Sequence, residues 1–167
     1  MVKYLIFTII ISAGCKSDLQ YSSSKKSYPN VIGDITFDPN IDGEFKRCDS
    51  YTNQYYSNGG IGYKGEMSMI KKQIEDNYTV SNQEGQSGFV TIRFVVNCHG
   101  ISGMYRVHQT DLLLTEFKFS SEIVDQLLNA MKNLKGWERA EFNGNFYDYY
   151  QYLTFKLING KIVEIAP

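Results

Sequence analysis

Along residues 66–78 the apolar positions Met67, Ile70, Ile74 and Tyr78 fall three and four apart. That spacing draws one stripe down a helix and leaves Lys71, Lys72, Glu75 and Asp76 toward solvent. After a polar loop the period changes to two. Val90, Ile92, Phe94 and Val96 share one face of a run from Phe89 to Val96, with Thr91 and Arg93 on the other. Nearly every residue there is β-branched or aromatic, so the run predicts a strand. Asn97-Cys98-His99-Gly100 predicts a hairpin turn, and Ile101 to Gln109 the returning strand. A second helical stripe follows: Ile123, Leu127, Leu128, Met131 and Leu134. Its expected limits are Ser120 as N-cap, Phe119 and Val124 as a hydrophobic staple, and Gly136 as terminator. Lys132 and Lys135 then sit where the helix dipole favours cations. A long strand is predicted from Phe146 to Ile158. Asn159-Gly160 signals a type I′ turn, and Ile162 to Ile165 pairs back.

The order helix, strand, strand, helix, strand, strand predicts an α+β fold. The sheet would be antiparallel, of three to four strands, with two helices packed on one face. This domain takes residues 63–167. Residues 31–62 hold no sustained period. Val31, Ile32, Ile35 and Phe37 suit one short strand, while Asp38-Pro39-Asn40, Asp42-Gly43 and Asn58-Gly59-Gly60 are turn signals, so the stretch reads as an irregular subregion. Residues 15–30 are rich in Ser and Lys and read as a tether.

Residues 1–14 read as a signal peptide. Lys3 precedes an apolar run from Tyr4 to Ile11, too short to cross a bilayer as a helix, and Ser12-Ala13-Gly14 supplies small residues before Cys15. Cys directly after Ala-Gly resembles the lipobox of a bacterial lipoprotein. By that resemblance Cys15 is the lipidated first residue of the mature chain, held to a membrane by acyl chains. The alternative is an ordinary secretory signal with a nearby Cys. By the lipoprotein reading the chain is expected in the cell envelope, and a lipid anchor suggests the outer membrane, facing the periplasm or the cell surface. Cys48 and Cys98 remain as an even pair, which in an exported chain suggests a disulfide. Two free buried thiols are the alternative.

Composition narrows the functions. Lys+Arg is 17 and Asp+Glu is 18, a net charge of −1, so nothing points to nucleic acid. With two His in the chain, a His-based metal site is not expected, and His99 reads as a turn residue. His108 and Asp111 are close in sequence, yet no Ser or Cys nucleophile arrangement accompanies them. Gly59-Gly60-Ile61-Gly62 lacks a preceding strand and a following Gly-Lys-Ser, so it is not a phosphate loop. The reading is therefore non-enzymatic, without cofactor; the lesser alternative is an envelope hydrolase, which would need a cleft around His108 or His99. Aromatics are abundant, with 13 Tyr and 10 Phe, and they concentrate in Phe146-Tyr147-Asp148-Tyr149-Tyr150-Gln151-Tyr152. With period two, Tyr147, Tyr149, Leu153, Phe155 and Leu157 share the core face. Tyr150, Tyr152 and Lys156 then point outward. They are the candidate partner-binding residues, since Tyr is enriched at interfaces. The alternative is an ordinary solvent face of strong β formers.

Over residues 60–158 the chain resembles the C-terminal domain of TonB-like proteins. The resemblance rests on Gly62-Tyr63-Lys64-Gly65-Glu66 before the first helix and on the strand and turn Gly88 to Gly100. It continues in the helix Val124 to Met131, in Leu134-Lys135-Gly136-Trp137, in Asn143-Gly144, and in the aromatic strand ending Leu153-Thr154-Phe155-Lys156-Leu157. It implies an envelope protein or peptide as partner, bound by addition of a strand to the sheet edge. It also admits an accessory part in TonB-linked outer-membrane transport. The chain has 3 Pro and so lacks the proline-rich spacer of the energy transducers.

Overall fold

The computed structural model describes residues 34–48, 52–53, 61–79 and 82–167. The expected signal peptide, Cys15, the tether, and Val31 and Ile32 lie outside the described residues.

The elements in chain order are α1 (Pro39–Asp42), β1 (Thr52–Asn53), α2 (Glu66–Asp76), β2 (Gly88–Val96), β3 (Ser102–Thr110), α3 (Ser121–Asn133), β4 (Ala140–Phe142), β5 (Asn145–Ile158) and β6 (Lys161–Ala166). The fold is α+β, with an antiparallel sheet ordered β1-β5-β2-β3. β5 is its axis. It pairs with β2 from Gly88↔Leu157 to Val96↔Tyr149, and with β4 and β6 through tight hairpins. Only the two-residue β1 runs parallel to it among the described strands.

The sheet has more strands than the three to four expected. Asn143 (φ 51°) and Gly144 (φ 79°) close a second two-residue hairpin, like Asn159 (φ 49°) and Gly160 (φ 80°). Both sites take the positive φ pair that a type I′ turn requires. β4 and β1 are three and two residues long, too short to display a period.

The main core lies between one sheet face and α2 and α3. Val90, Ile92, Phe94, Val96, Leu153, Phe155 and Leu157 meet Ile70, Ile74, Ile123, Leu127 and Met131, all fully buried. Each such side chain contributes about 1.5–3 kcal/mol relative to exposure. Trp137 closes one end of this core, its ring 4.8 Å from those of both Tyr63 and Phe94. Gln151 interrupts the apolar face of β5, and its Nε2 donates to the Ile61 carbonyl (2.9 Å). Tyr147 is only half-buried.

The limits of α3 follow the pattern in part. Ser120 is its N-cap as expected, but the hydroxyl donates to the Gln83 side chain (2.9 Å) and makes no cap hydrogen bond. Gly136 does not terminate α3, whose C-cap is Leu134. A Cβ on Gly136 would meet Tyr63 Cζ at 2.7 Å, so the missing side chain makes room for that ring. No described helix is long and apolar enough to cross a membrane.

Candidate functional site

The second sheet face is divided. Toward the β2–β3 turn it is covered by the segment 34–48. Ile35, Val95, Met104 and Tyr150 are buried there together, with Phe45 packed against them. Tyr150 is 4% exposed, and its hydroxyl accepts from the Ile35 amide (3.3 Å). It does point away from the main core, as the period required. The chain's own N-terminal segment, not a partner, covers it, so Tyr150 is removed from the candidate surface. Tyr152 and Lys156 lie on the other half of this face, half-buried, opposite Arg93 and Phe89 of β2.

Segment 34–48 is held by charge as well as by apolar packing. α1 begins with Asp38 capping the Asn40 amide (2.9 Å) and Pro39 in the first turn. It delivers Asp42 to Arg106 of β3, where two nitrogens each reach a carboxylate oxygen at 2.8 Å. The second Arg106 nitrogen also donates to the Thr36 carbonyl (2.7 Å). The guanidinium holds the Asp42 carboxyl below the usual carboxylate range, against the opposing effect of burial.

At the β2–β3 turn, Cys48 and Cys98 are joined, with S–S 2.08 Å and Cα–Cα 5.9 Å. Beneath them lies Asp148 of β5, fully buried. Its carboxylate accepts from the amides of Cys48 (3.0 Å) and Cys98 (3.0 Å) and stands 3.6 Å from Arg47 Nε. Asn97 adds a second tie. It donates to the Lys46 carbonyl (2.9 Å) and accepts from the His99 and Ile101 amides (3.0 Å each). His99 lies within 4.8 Å of both sulfurs. Bonded to each other, the sulfurs are not thiolates, so in this state the trio is not a ligand set. His108 is half-buried on β3 with its Nε2 unpartnered. It is not joined to a nucleophile by any described hydrogen bond.

β3 is the outer strand on one side of the sheet, and β1, β4 and β6 lie beyond β5 on the other. Its far end is occupied by the following loop, because Gln109 accepts from the Phe117 amide (3.3 Å) and Thr110 bridges Glu116. Gln109 therefore turns its backbone outward. By the alternation of an antiparallel ladder, Val107 and Tyr105 do the same. The Tyr105 carbonyl takes Arg106 (2.9 Å), while the outward groups of Val107 have no described partner. Beside this edge runs a groove of about 760 Å³ between α1 and the end of α3. Ile41, Phe45 and Leu128 line its sides, with Glu44 on one bank and Lys132 and Lys135 on the other. Ile101, 57% exposed, stands at its end.

Asp148 and the open edge were not singled out by the pattern. An acid inside the aromatic run was a readable signal for the first. The second depends on strand order, which no local period states. No family model, curated protein or solved structure matches this chain.

Proposed function

We propose that the protein is a non-enzymatic, lipid-anchored component of the bacterial cell envelope whose domain binds an extended segment of a partner protein along β3. The observation that carries this reading is the outer edge of β3 around Val107, set beside an apolar groove with lysines on one bank. An incoming strand would hydrogen-bond to the Val107 amide and carbonyl, which supplies affinity independent of sequence. One of its alternate side chains would enter the groove against Ile41 and Leu128, which supplies selectivity. Lys132 and Lys135 favour a segment with acidic residues at that end.

The test uses the full chain in its native envelope with a photo-crosslinking amino acid at Ile101. A discrete protein adduct is expected. Val107→Pro removes the outward N–H without removing a ladder bond, and it is expected to abolish the adduct while the far-ultraviolet spectrum is kept. An adduct that persists unchanged in the folded Val107→Pro chain rejects strand addition at this edge. An outer-membrane transporter in the adduct would assign the protein to TonB-linked transport.

A further inference from the structure

Leu112, Leu113 and Leu114 are 47%, 85% and 62% exposed. They occupy the turn between β3 and α3 and line none of the grooves described above. Three adjacent leucines carried this far into solvent are not core residues that failed to pack, because the turn holds them there. The Leu113 and Thr115 amides both donate to the Asp111 carboxylate (2.8 and 2.9 Å). The Asp111 amide donates to the Thr115 carbonyl (2.9 Å) and the Leu114 amide to the Asp111 carbonyl (3.1 Å). Leu114 adopts φ 63°, a backbone that Gly or Asn takes with less strain, so the turn does not itself ask for leucine there. The base of the loop is set by Phe117 against Phe119, edge to face at 4.8 Å, and by the Phe119 amide on the Gln109 side chain (2.9 Å).

We infer that this leucine tip inserts into the interfacial region of a lipid bilayer. Two features select lipid over a protein pocket. First, the turn satisfies four of its five amides from Asp111 to Thr115. Backbone N–H groups without partners are costly in a medium without water, and here those of Asp111, Leu113, Leu114 and Thr115 are paired internally, along with the Asp111 carboxylate. Second, three consecutive side chains around a tight turn present apolar surface in several directions. A fluid acyl phase wraps such a tip without a preformed cavity. Lys118 is exposed beside the tip and suits headgroup phosphates, while exposed Glu116 opposes it, so the insertion is driven by apolar burial and not by net charge.

The inference concerns the tip alone and does not depend on lipidation of Cys15. The parent chain has a single Trp, Trp137, which is 6% exposed and so reports little from outside. In the full chain carrying Leu113→Trp, bound to vesicles of phosphatidylethanolamine and phosphatidylglycerol with brominated acyl chains, quenching is expected to exceed that of the parent several-fold, with a blue shift. Adding Leu112→Ser and Leu114→Ser to that variant is expected to return quenching to the parent level at an unchanged unfolding midpoint. Equal quenching in Leu113→Trp and parent, both vesicle-bound, overturns the inference. So does quenching that survives both serine substitutions, since the introduced Trp would then be inserting by itself. The mass of the Cys15 peptide reads the anchor separately: an unmodified Cys15 with persistent quenching rejects the anchor and keeps the tip.

Discussion

Asp148 carries more of the architecture than any other polar residue described. Buried under the β2–β3 turn, it joins three parts of the chain that are far apart in sequence: Cys48 and Arg47 of segment 34–48, Cys98 at the turn, and β5 itself. Removing its carboxylate leaves two amides without an acceptor and Arg47 without this counter-charge. Asp148→Ala is therefore expected to lower unfolding free energy by about 3 kcal/mol, read by urea denaturation, with Asp148→Asn costing less because one oxygen remains. Gly88 is constrained differently. It sits at φ 152° where β2 begins, and an added Cβ would collide with the Thr110 carbonyl and stand 2.8 Å from Asp111 Cα. These are backbone atoms of the neighbouring strand and cannot swing aside. Gly88→Ala should cost roughly 2 kcal/mol or more and depress the thermal midpoint. Neither requirement is legible locally. An acid in an aromatic run signals something unusual, but only the fold says that two distant amides converge on it.

Among the elements, α2, α3, β2 and the β5–β6 hairpin were legible because each repeats its signal over many residues. Tyr78 shows how their ends are then joined. Its hydroxyl donates to the Gly160 carbonyl (2.6 Å), tying the residues after α2 to the β5–β6 turn, and burial pushes that hydroxyl up to about 12. The β2–β3 hairpin was also readable, though not its irregularity. The register shifts between Arg93 and Val95, and Met104 takes φ 55° there. That bulge lets Met104 join the second apolar cluster. The end of the hairpin is pinned by the Cys48–Cys98 link, which spans a sequence separation of 50. Closing a loop of that length removes unfolded-state entropy worth about 4 kcal/mol on the chain-entropy model. Replacing both cysteines by serine is expected to lower the denaturation midpoint accordingly. Parent protein under reductant should match the double variant, and unmodified parent should show no thiol reactive at Cys48 or Cys98.

At the scale of the whole molecule, the two faces of the sheet are covered to different extents and by different means. The helices bury one with a continuous apolar core. Segment 34–48 buries part of the other with a small cluster and the Asp42–Arg106 pair. That difference predicts an acid response. Arg106 keeps the Asp42 carboxyl below its ordinary value of 3.8 in the folded chain. The pair's stabilisation is therefore complete above that value and is lost as pH falls through the lower folded one. Stability measured from pH 6 down to 2 should drop at the acid end, and Asp42→Asn should flatten that part of the profile while costing about 1–2 kcal/mol at neutral pH, since Arg106 is partly solvated. The sequence by itself determined the α+β class, the long elements and the sides of β2 and β5 that meet the core. Periods of 3.6 and 2 are local properties that any window of a dozen residues displays. Tertiary structure alone decided that Tyr150 is covered, that Asp148 is a hub, and that β3 is an outer strand with Val107 facing away from the sheet. Each of these depends on which distant segment lies alongside, and that choice is made by the packing of the whole chain.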